Sequence, residues 1–256
     1  MRRLLAIALL ILTTLTPAHA EEVVLGMSKD QVSITTSFDG SEILIFGAVK
    51  REEPIPGGAP LEVIITVAGP SHPIMVRRKA KWGNVIWVNT DAVEVDRAPS
   101  YYAVATTGPL DAVLDETEDL RHRITVDRAI RSVGAPAEIK DAESFTEALI
   151  RVRRSQGLYQ QLDGAVSLDQ QTLFRAAVAM PANLTEGAYD TRIFLTRDGK
   201  VVSHYETTID VRKVGLERFL FSLSREKPMI YGFMSLFIAI AAGWSASFAF
   251  TLLRNS

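Results

Sequence analysis

Between Lys227 and Arg254 lie 26 consecutive residues without a charge. No other feature constrains the chain so strongly. A helix needs roughly 20 apolar residues to cross the hydrocarbon layer of a membrane, and this run exceeds that. A core helix of such length with no polar face does not suit a domain of this size. The stretch 228–253 therefore predicts one transmembrane helix. Tyr231 stands near one end of it, where an amphipathic ring is favoured.

The opposite end predicts export. Arg2 and Arg3 precede the apolar run Leu4–Leu12, and Ala18-His19-Ala20 supplies the small residues of a cleavage site. The run is too short to span a bilayer, so residues 1–20 read as a secretory signal peptide. A signal peptide followed by one stop-transfer helix predicts a single-pass protein of the inner (cytoplasmic) membrane. Its N-terminal domain then lies in the periplasm and its C-terminus is short and cytoplasmic. Arg225 and Lys227 on the outer side, against Arg254 inside, run against the positive-inside rule. A three-residue tail gives that rule little to act on.

Without residues 1–20 the chain keeps 26 Lys and Arg against 30 Asp and Glu. That balance argues against general binding of nucleic acid. There is no cysteine, which excludes disulfides, thiolate nucleophiles, iron–sulfur clusters and zinc–thiolate sites. The exported part must be stabilised by its core alone, and it is long enough to bury one.

Residues 21–108 read as β structure. Gln31–Phe38 alternates, with Val32, Ile34 and Phe38 on one face. Asp39-Gly40 gives a turn, and Ile43–Val49 is apolar on both faces, as in the middle of a sandwich. Glu52–Pro60 is a loop rich in proline and glycine. Leu61–Ala68, Ile74–Arg78, Val85–Thr90 and Tyr101–Thr106 read as further strands. Short strands at this spacing predict a mainly β fold of immunoglobulin-like sandwich type.

The period changes at Pro109. Leu110, Val113, Leu114, Thr117, Leu120 and Ile124 recur at helical spacing. A second helix starts at Asp141 as N-cap, carries Phe145, Ala148, Leu149 and Val152 as its stripe, and stops at Gly157. Residues 109–158, within a segment 109–160, are therefore a helical insert. In 161–213 the period of two returns. Leu184-x-x-Gly187-x-Tyr189 has the spacing of a corner in which a tyrosine hydroxyl bonds back to nearby backbone. Tyr189–Thr196 and Val201–Val211 pair across Asp198-Gly199, with Val201, Tyr205, Ile209 and Val211 facing in and His204, Glu206 and Asp210 facing out. These last strands either complete the N-terminal sheets or form a second small module.

Residues 214–227 form an amphipathic juxtamembrane segment suited to the headgroup layer. Within the span, Ala239, Gly243 and Ser247 lie four apart, a stripe that lets another helix approach closely.

The chain resembles a family of transmembrane proteins described from alphaproteobacteria. The resemblance rests on Glu21–Ser28, on a Phe38–Ile43 hairpin, on Pro99–Val104 and Gly108-Pro109-Leu110, on the Asp198-Gly199 hairpin, and on Tyr231-Gly232 and Gly243-Trp244 in the span. It covers essentially the full chain. It implies no established activity, and it implies a permease similar to sulfite exporters as companion.

Sites for chemistry are scarce. His72, His122 and His204 have no second histidine at ligand spacing. Asp115, Glu116, Glu118 and Asp119 lack calcium-loop spacing and read as the solvated face of a helix. No phosphate-binding, dinucleotide or nucleophile-elbow motif occurs, and no cofactor is predicted. The outstanding surface feature is Arg77, Arg78, Lys79, Lys81 and Trp82, with Trp87 nearby. Cations beside an indole suit an anionic ligand, anionic headgroups or a partner's acidic patch. The bland reading is an edge strand protected by charge. The sequence thus predicts a periplasmic accessory or binding subunit that contacts membrane lipid and, through its span, another membrane protein such as a multispan transporter. The alternatives are an envelope hydrolase using carboxylates of the insert, or an envelope assembly factor.

Overall fold

The computed structural model describes residues 21–34, 38–51, 58–83, 85–133, 139, 141–213 and 216–254. Several expectations fall outside those residues. They are the signal peptide (1–20), the middle of the Gln31–Phe38 segment (35–37), most of the Glu52–Pro60 loop (52–57), part of the insert (134–138 and 140) and the start of the juxtamembrane segment (214–215). The chain divides into two units, one of residues 1–32 and 39–211, the other of 33–38 and 212–256.

The first unit is mainly β. Its strands are β1 (Glu22–Met27), β2 (Gln31–Ile34), β3 (Ser41–Lys50), β4 (Glu62–Ala68), β5 (Ser71–Trp82), β6 (Ile86–Pro99), β7 (Tyr102–Thr106), β8 (Tyr159–Leu162), β9 (Val166–Asp169), β10 (Leu173–Met180), β11 (Gly187–Arg197) and β12 (Lys200–Lys213). One sheet has the order β1-β3-β10-β9, a second β2-β12-β11-β4-β7-β8, and β5 pairs with β6 alone. The last strands are thus partners of the first ones: β10 lies beside β3 and β11 beside β4. They complete the N-terminal sheets rather than building a separate module.

Side-chain pattern explains these places. β10 alternates, burying Phe174, Ala176, Val178 and Met180 and exposing the residues between, so one face lines the core. β4, rich in β-branched residues, sits between β11 and β7 and is buried on both faces, as the centre of a covered sheet requires. Asp198 and Gly199 have φ of 48° and 75°, the left-handed pair that a two-residue hairpin turn demands. Tyr189 is buried, and its hydroxyl donates to the Thr185 carbonyl at 2.8 Å, as the corner spacing predicts.

β7 and β8 run parallel. Parallel neighbours need a crossover connection, and residues 107–158 provide it. The helices there are α1 (Leu110–Val113), α2 (Glu116–His122), α3 (Val126–Ala129) and α4 (Ala142–Ser155). Part of this crossover lies against the outer face of the six-stranded sheet, where the Tyr102 hydroxyl donates to the Ile124 carbonyl at 2.8 Å.

Several expectations are corrected. The Asp39-Gly40 turn does not close a hairpin, because β2 and β3 belong to different sheets. β3 is covered on one face only; Leu44 and Phe46 on the other are exposed among the described residues. The apolar pattern from Leu110 does not make one helix. Leu114 turns extended, and the Asp115 amide donates to the Gly199 carbonyl at 2.8 Å, which breaks the run after α1. α4 buries Phe145, Leu149 and Ile150 but exposes Val152. Asp141 stands at its N-cap position without capping, because its carboxylate binds Arg78. Of the residues expected to face in along β12, Ile209 and Val211 are buried, but Val201 is half-buried and Tyr205 exposed.

The second unit carries α5 (Leu216–Glu226) and α6 (Pro228–Arg254). The Tyr231 amide donates to the Lys227 carbonyl at 3.1 Å, so hydrogen bonding continues across the junction. The stretch Pro228–Ser247 is long and apolar enough to cross a membrane, and none of it is buried within the chain. A helix apolar all round suits a lipid environment.

Candidate functional site

The outer face of the six-stranded sheet is only partly covered by the crossover, and the remainder is a cleft of about 890 Å³. Its floor follows from strand register. Arg192 of β11 stands opposite Glu206 of β12, and Asp190 opposite Thr208, so all four project to the same face. Tyr102 of β7 joins them there. The rim comes from the crossover, with His122, Arg123, Arg128 and Arg131, and from β6, with Arg97. Five arginines thus meet two carboxylates.

The rim owes its shape to the acidic run. Glu118 and Asp119 are buried, not solvated. Asp119 accepts from the Ile124 and Thr125 amides at 2.9 and 2.8 Å and from the Thr125 hydroxyl at 2.7 Å. That turns the chain from α2 into α3, with Arg123 in the left-handed region at φ 52°. Glu118 pairs with Arg121 at 2.7 Å and lies 3.5 Å from His122. Asp119 is therefore committed to holding the rim, whereas the Glu118 Oε2 atom is buried without a hydrogen-bond partner among the described residues. Further along, Arg97 and Arg131 exchange backbone hydrogen bonds of 3.1 and 2.9 Å, a bridged pair whose side chains share one side.

Arg192 is held by neutral groups. It donates to the His122 and Arg123 carbonyls at 2.7 and 3.1 Å, stands 3.3 Å from the Tyr102 hydroxyl, and lies 5.2 Å from the Phe194 ring centre. Arg128 approaches Glu116 at 3.6 Å and Asp119 at 4.0 Å. Among the described residues, no carboxylate lies within 4.0 Å of the guanidinium of Arg97, Arg123 or Arg131. Uncompensated cations on the walls of a concave site raise the local concentration of anions, and guanidinium forks match oxyanion geometry.

His122 and His204, far apart in sequence, meet here with ring centres 5.8 Å apart, both against Phe194. Burial holds His122 below the usual histidine pKa; His204, Arg121 and Arg192 act in the same sense, and Glu118 opposes them. Burial likewise raises the Tyr102 hydroxyl. Among the described residues no group of three or more His, Asp or Glu is placed to hold a metal ion.

The basic patch expected from sequence lies elsewhere, on the β5–β6 ribbon. Arg78 is taken up by Asp141 at 2.5 Å, by Asp91 at 3.8 Å and by the Phe145 ring at 4.4 Å. Arg77, Lys79, Lys81 and Trp82 are exposed. Ala239, Gly243 and Ser247 fall on one face of α6, and the space a Cβ at Gly243 would occupy is open to 4 Å. The basic patch is not part of the cleft. Sequence reading missed the cleft because its arginines come from separate segments; the one local signal was Arg123, Arg128 and Arg131 in the insert.

Fold and site define a β-rich domain with an arginine-lined cleft, on a chain that also carries one apolar helix fit to anchor it in a membrane. The chain belongs to the family described as "Putative transmembrane protein (Alph_Pro_TM)", whose profile matches residues 22–251. No curated protein matches the chain.

Proposed function

We propose that this protein is a membrane-anchored periplasmic accessory or binding subunit whose domain holds a small anion in the arginine cleft. The observation that carries the reading is the excess of guanidiniums in a concave site, three of them without a carboxylate partner among the described residues. An oxyanion of phosphate or carboxylate type has the matching geometry. Asp119 supports binding over hydrolysis, since its carboxylate serves the rim itself. On this reading α6 docks on a multispan partner through Ala239, Gly243 and Ser247.

Calorimetric titration of the full-length protein in detergent with phosphate, sulfate and succinate tests the cleft. At least one anion is expected to bind. The Arg123→Gln/Arg131→Gln double variant is expected to weaken it by about tenfold or more, the scale of a lost charge-assisted hydrogen bond. Absence of binding by all three, or equal affinity in the variant, removes the cleft from the function. Co-purification with a polyleucine span as control tests the docking separately: a multispan protein captured equally by both spans excludes the stripe.

A further inference from the structure

The cleft takes Ser71, Arg97 and Pro99 from the base of the β5–β6 ribbon and leaves the rest of the ribbon without a role. Its base is packed, with Val93 and Val95 buried and Arg78 bound to Asp141 beside α4. Beyond Arg78 the cover ends. Every described residue from Lys81 to Thr90 is exposed. Trp82 is 71% accessible, Val85 83% and Trp87 61%, and Ile86 and Val88 are exposed with them.

Register sorts these side chains into two faces. Trp82 stands opposite Ile86 and Ala80 opposite Val88, which gives one apolar face. Lys81 stands opposite Trp87 and Lys79 opposite Asn89 on the other, with the Lys81 ammonium 5.4 Å from the Trp87 ring. Residues 79–90 contain no acid. Among the described residues no carboxylate lies within 4.0 Å of Arg77, Lys79 or Lys81, and Asp91, the nearest acid along β6, faces Arg78.

A two-stranded tip carrying two indoles and three large aliphatic side chains is not stable as a bare surface in water. It is narrow and convex, so it cannot enclose a small ligand. Indole rings favour the boundary between headgroups and acyl chains. Lysine stems lie along apolar surface while the ammonium reaches outward, and unpaired cations at that depth are drawn to anionic lipid. We propose that the tip of the β5–β6 ribbon, Lys79–Val88, is an interfacial anchor that seats Trp82, Ile86 and Trp87 in the headgroup layer of an anionic bilayer. The tip shares no residue with the arginine cleft, which uses only the base of the ribbon.

Fluorescence of the full chain in vesicles tests this. The chain has three tryptophans, so Trp244→Phe leaves Trp82 and Trp87 as the reporters. The protein is reconstituted in phosphatidylcholine alone and with added phosphatidylglycerol, each with and without bromine-labelled acyl chains. In the anionic vesicles the emission is expected to shift to the blue and to be quenched by the brominated lipid. Quenching is expected to fall at least twofold in phosphatidylcholine alone and in the Lys79→Glu/Lys81→Glu variant. Emission typical of indole in water, untouched by brominated lipid in both vesicle types, overturns the proposal. Shielding from aqueous acrylamide without lipid quenching also overturns it and assigns the tip to a second copy or another protein. Equal quenching in the charge-reversed variant overturns the selectivity for anionic lipid.

Discussion

Glu21 begins the described chain, and its carboxylate is gripped by two arginines from distant segments. Arg51 Nε lies 2.6 Å away and Arg197 Nη2 2.8 Å away. The three side chains are 13, 9 and 15% accessible. Arg51 goes on to bond the Gln171 carbonyl and the Thr172 hydroxyl, and Arg197 bonds the Ala59 carbonyl at 2.7 Å. The network ties the chain ahead of β1 to the end of β3, the β9–β10 turn and the end of β11. In Glu21→Gln the shape persists but two guanidiniums lose their counter-charge. Breaking a buried pair costs about 3–5 kcal/mol, whereas an exposed pair is worth about 1 or less. The carboxylate lies near the margin of the domain rather than deep within it, so roughly 2–3 kcal/mol is expected, between those limits. For a domain of this size that lowers Tm by roughly 4–12 °C.

The assay is thermal unfolding of the detergent-solubilised protein, followed by circular dichroism, as a function of pH. Burial would raise the Glu21 pKa, but the hydrogen bonds and charges of Arg197 and Arg51 together outweigh it and hold the carboxyl below its ordinary value of 4.5. A carboxyl with a depressed folded pKa contributes stability that is complete above its unfolded value and is lost as pH falls through the folded one. The gap between wild type and Glu21→Gln is therefore expected to be constant near neutrality and to close below about pH 4. Equal Tm values at pH 7, or a gap that does not close in acid, would refute the reasoning. Combining Glu21→Gln with Arg197→Met removes one uncompensated charge and is expected to recover part of the loss, which a double-mutant cycle measures.

Two further outcomes follow from the same structure. Tyr189→Phe deletes the hydroxyl that donates to the Thr185 carbonyl at 2.8 Å; it should cost about 1 kcal/mol, read as a small downward shift of the denaturation midpoint with unchanged slope. His122 has its pKa pushed below 6.5, chiefly by burial. The unfolded chain therefore takes up that proton first, and stability is full above about pH 6.5 and declines as pH falls toward the folded pKa. His122→Gln should flatten that decline between pH 7 and 5, and an unchanged profile would show that the histidine is not its source.

Local pattern was enough for much of this architecture. A chain segment that must satisfy every backbone group internally and meet lipid on all sides has few solutions, so the charge-free run of 228–253 could be read without a fold. Alternation in β10, the Asp198-Gly199 turn and the tyrosine of the corner are equally local, because each depends on residues within one turn or strand. Partnership between strands is not local. That Asp39-Gly40 closes no hairpin, and that β3 leaves Leu44 and Phe46 uncovered, follows from pairing at long range, which periodicity does not carry. The same holds for charge. Glu118 and Asp119 read as solvated because a helix face looks acidic in isolation; only the tight turn into Ile124 and Thr125 gives the Asp119 oxygens their partners. The arginines of the cleft come from β6, the crossover and β11, and His122 meets His204 across 82 positions of sequence. Sequence by itself determined the apolar helix and the mainly β domain, since each is written in neighbouring residues. Tertiary structure decided which face the crossover covers, and therefore where its positive charges converge, because parallel β7 and β8 require a connection that passes over the sheet.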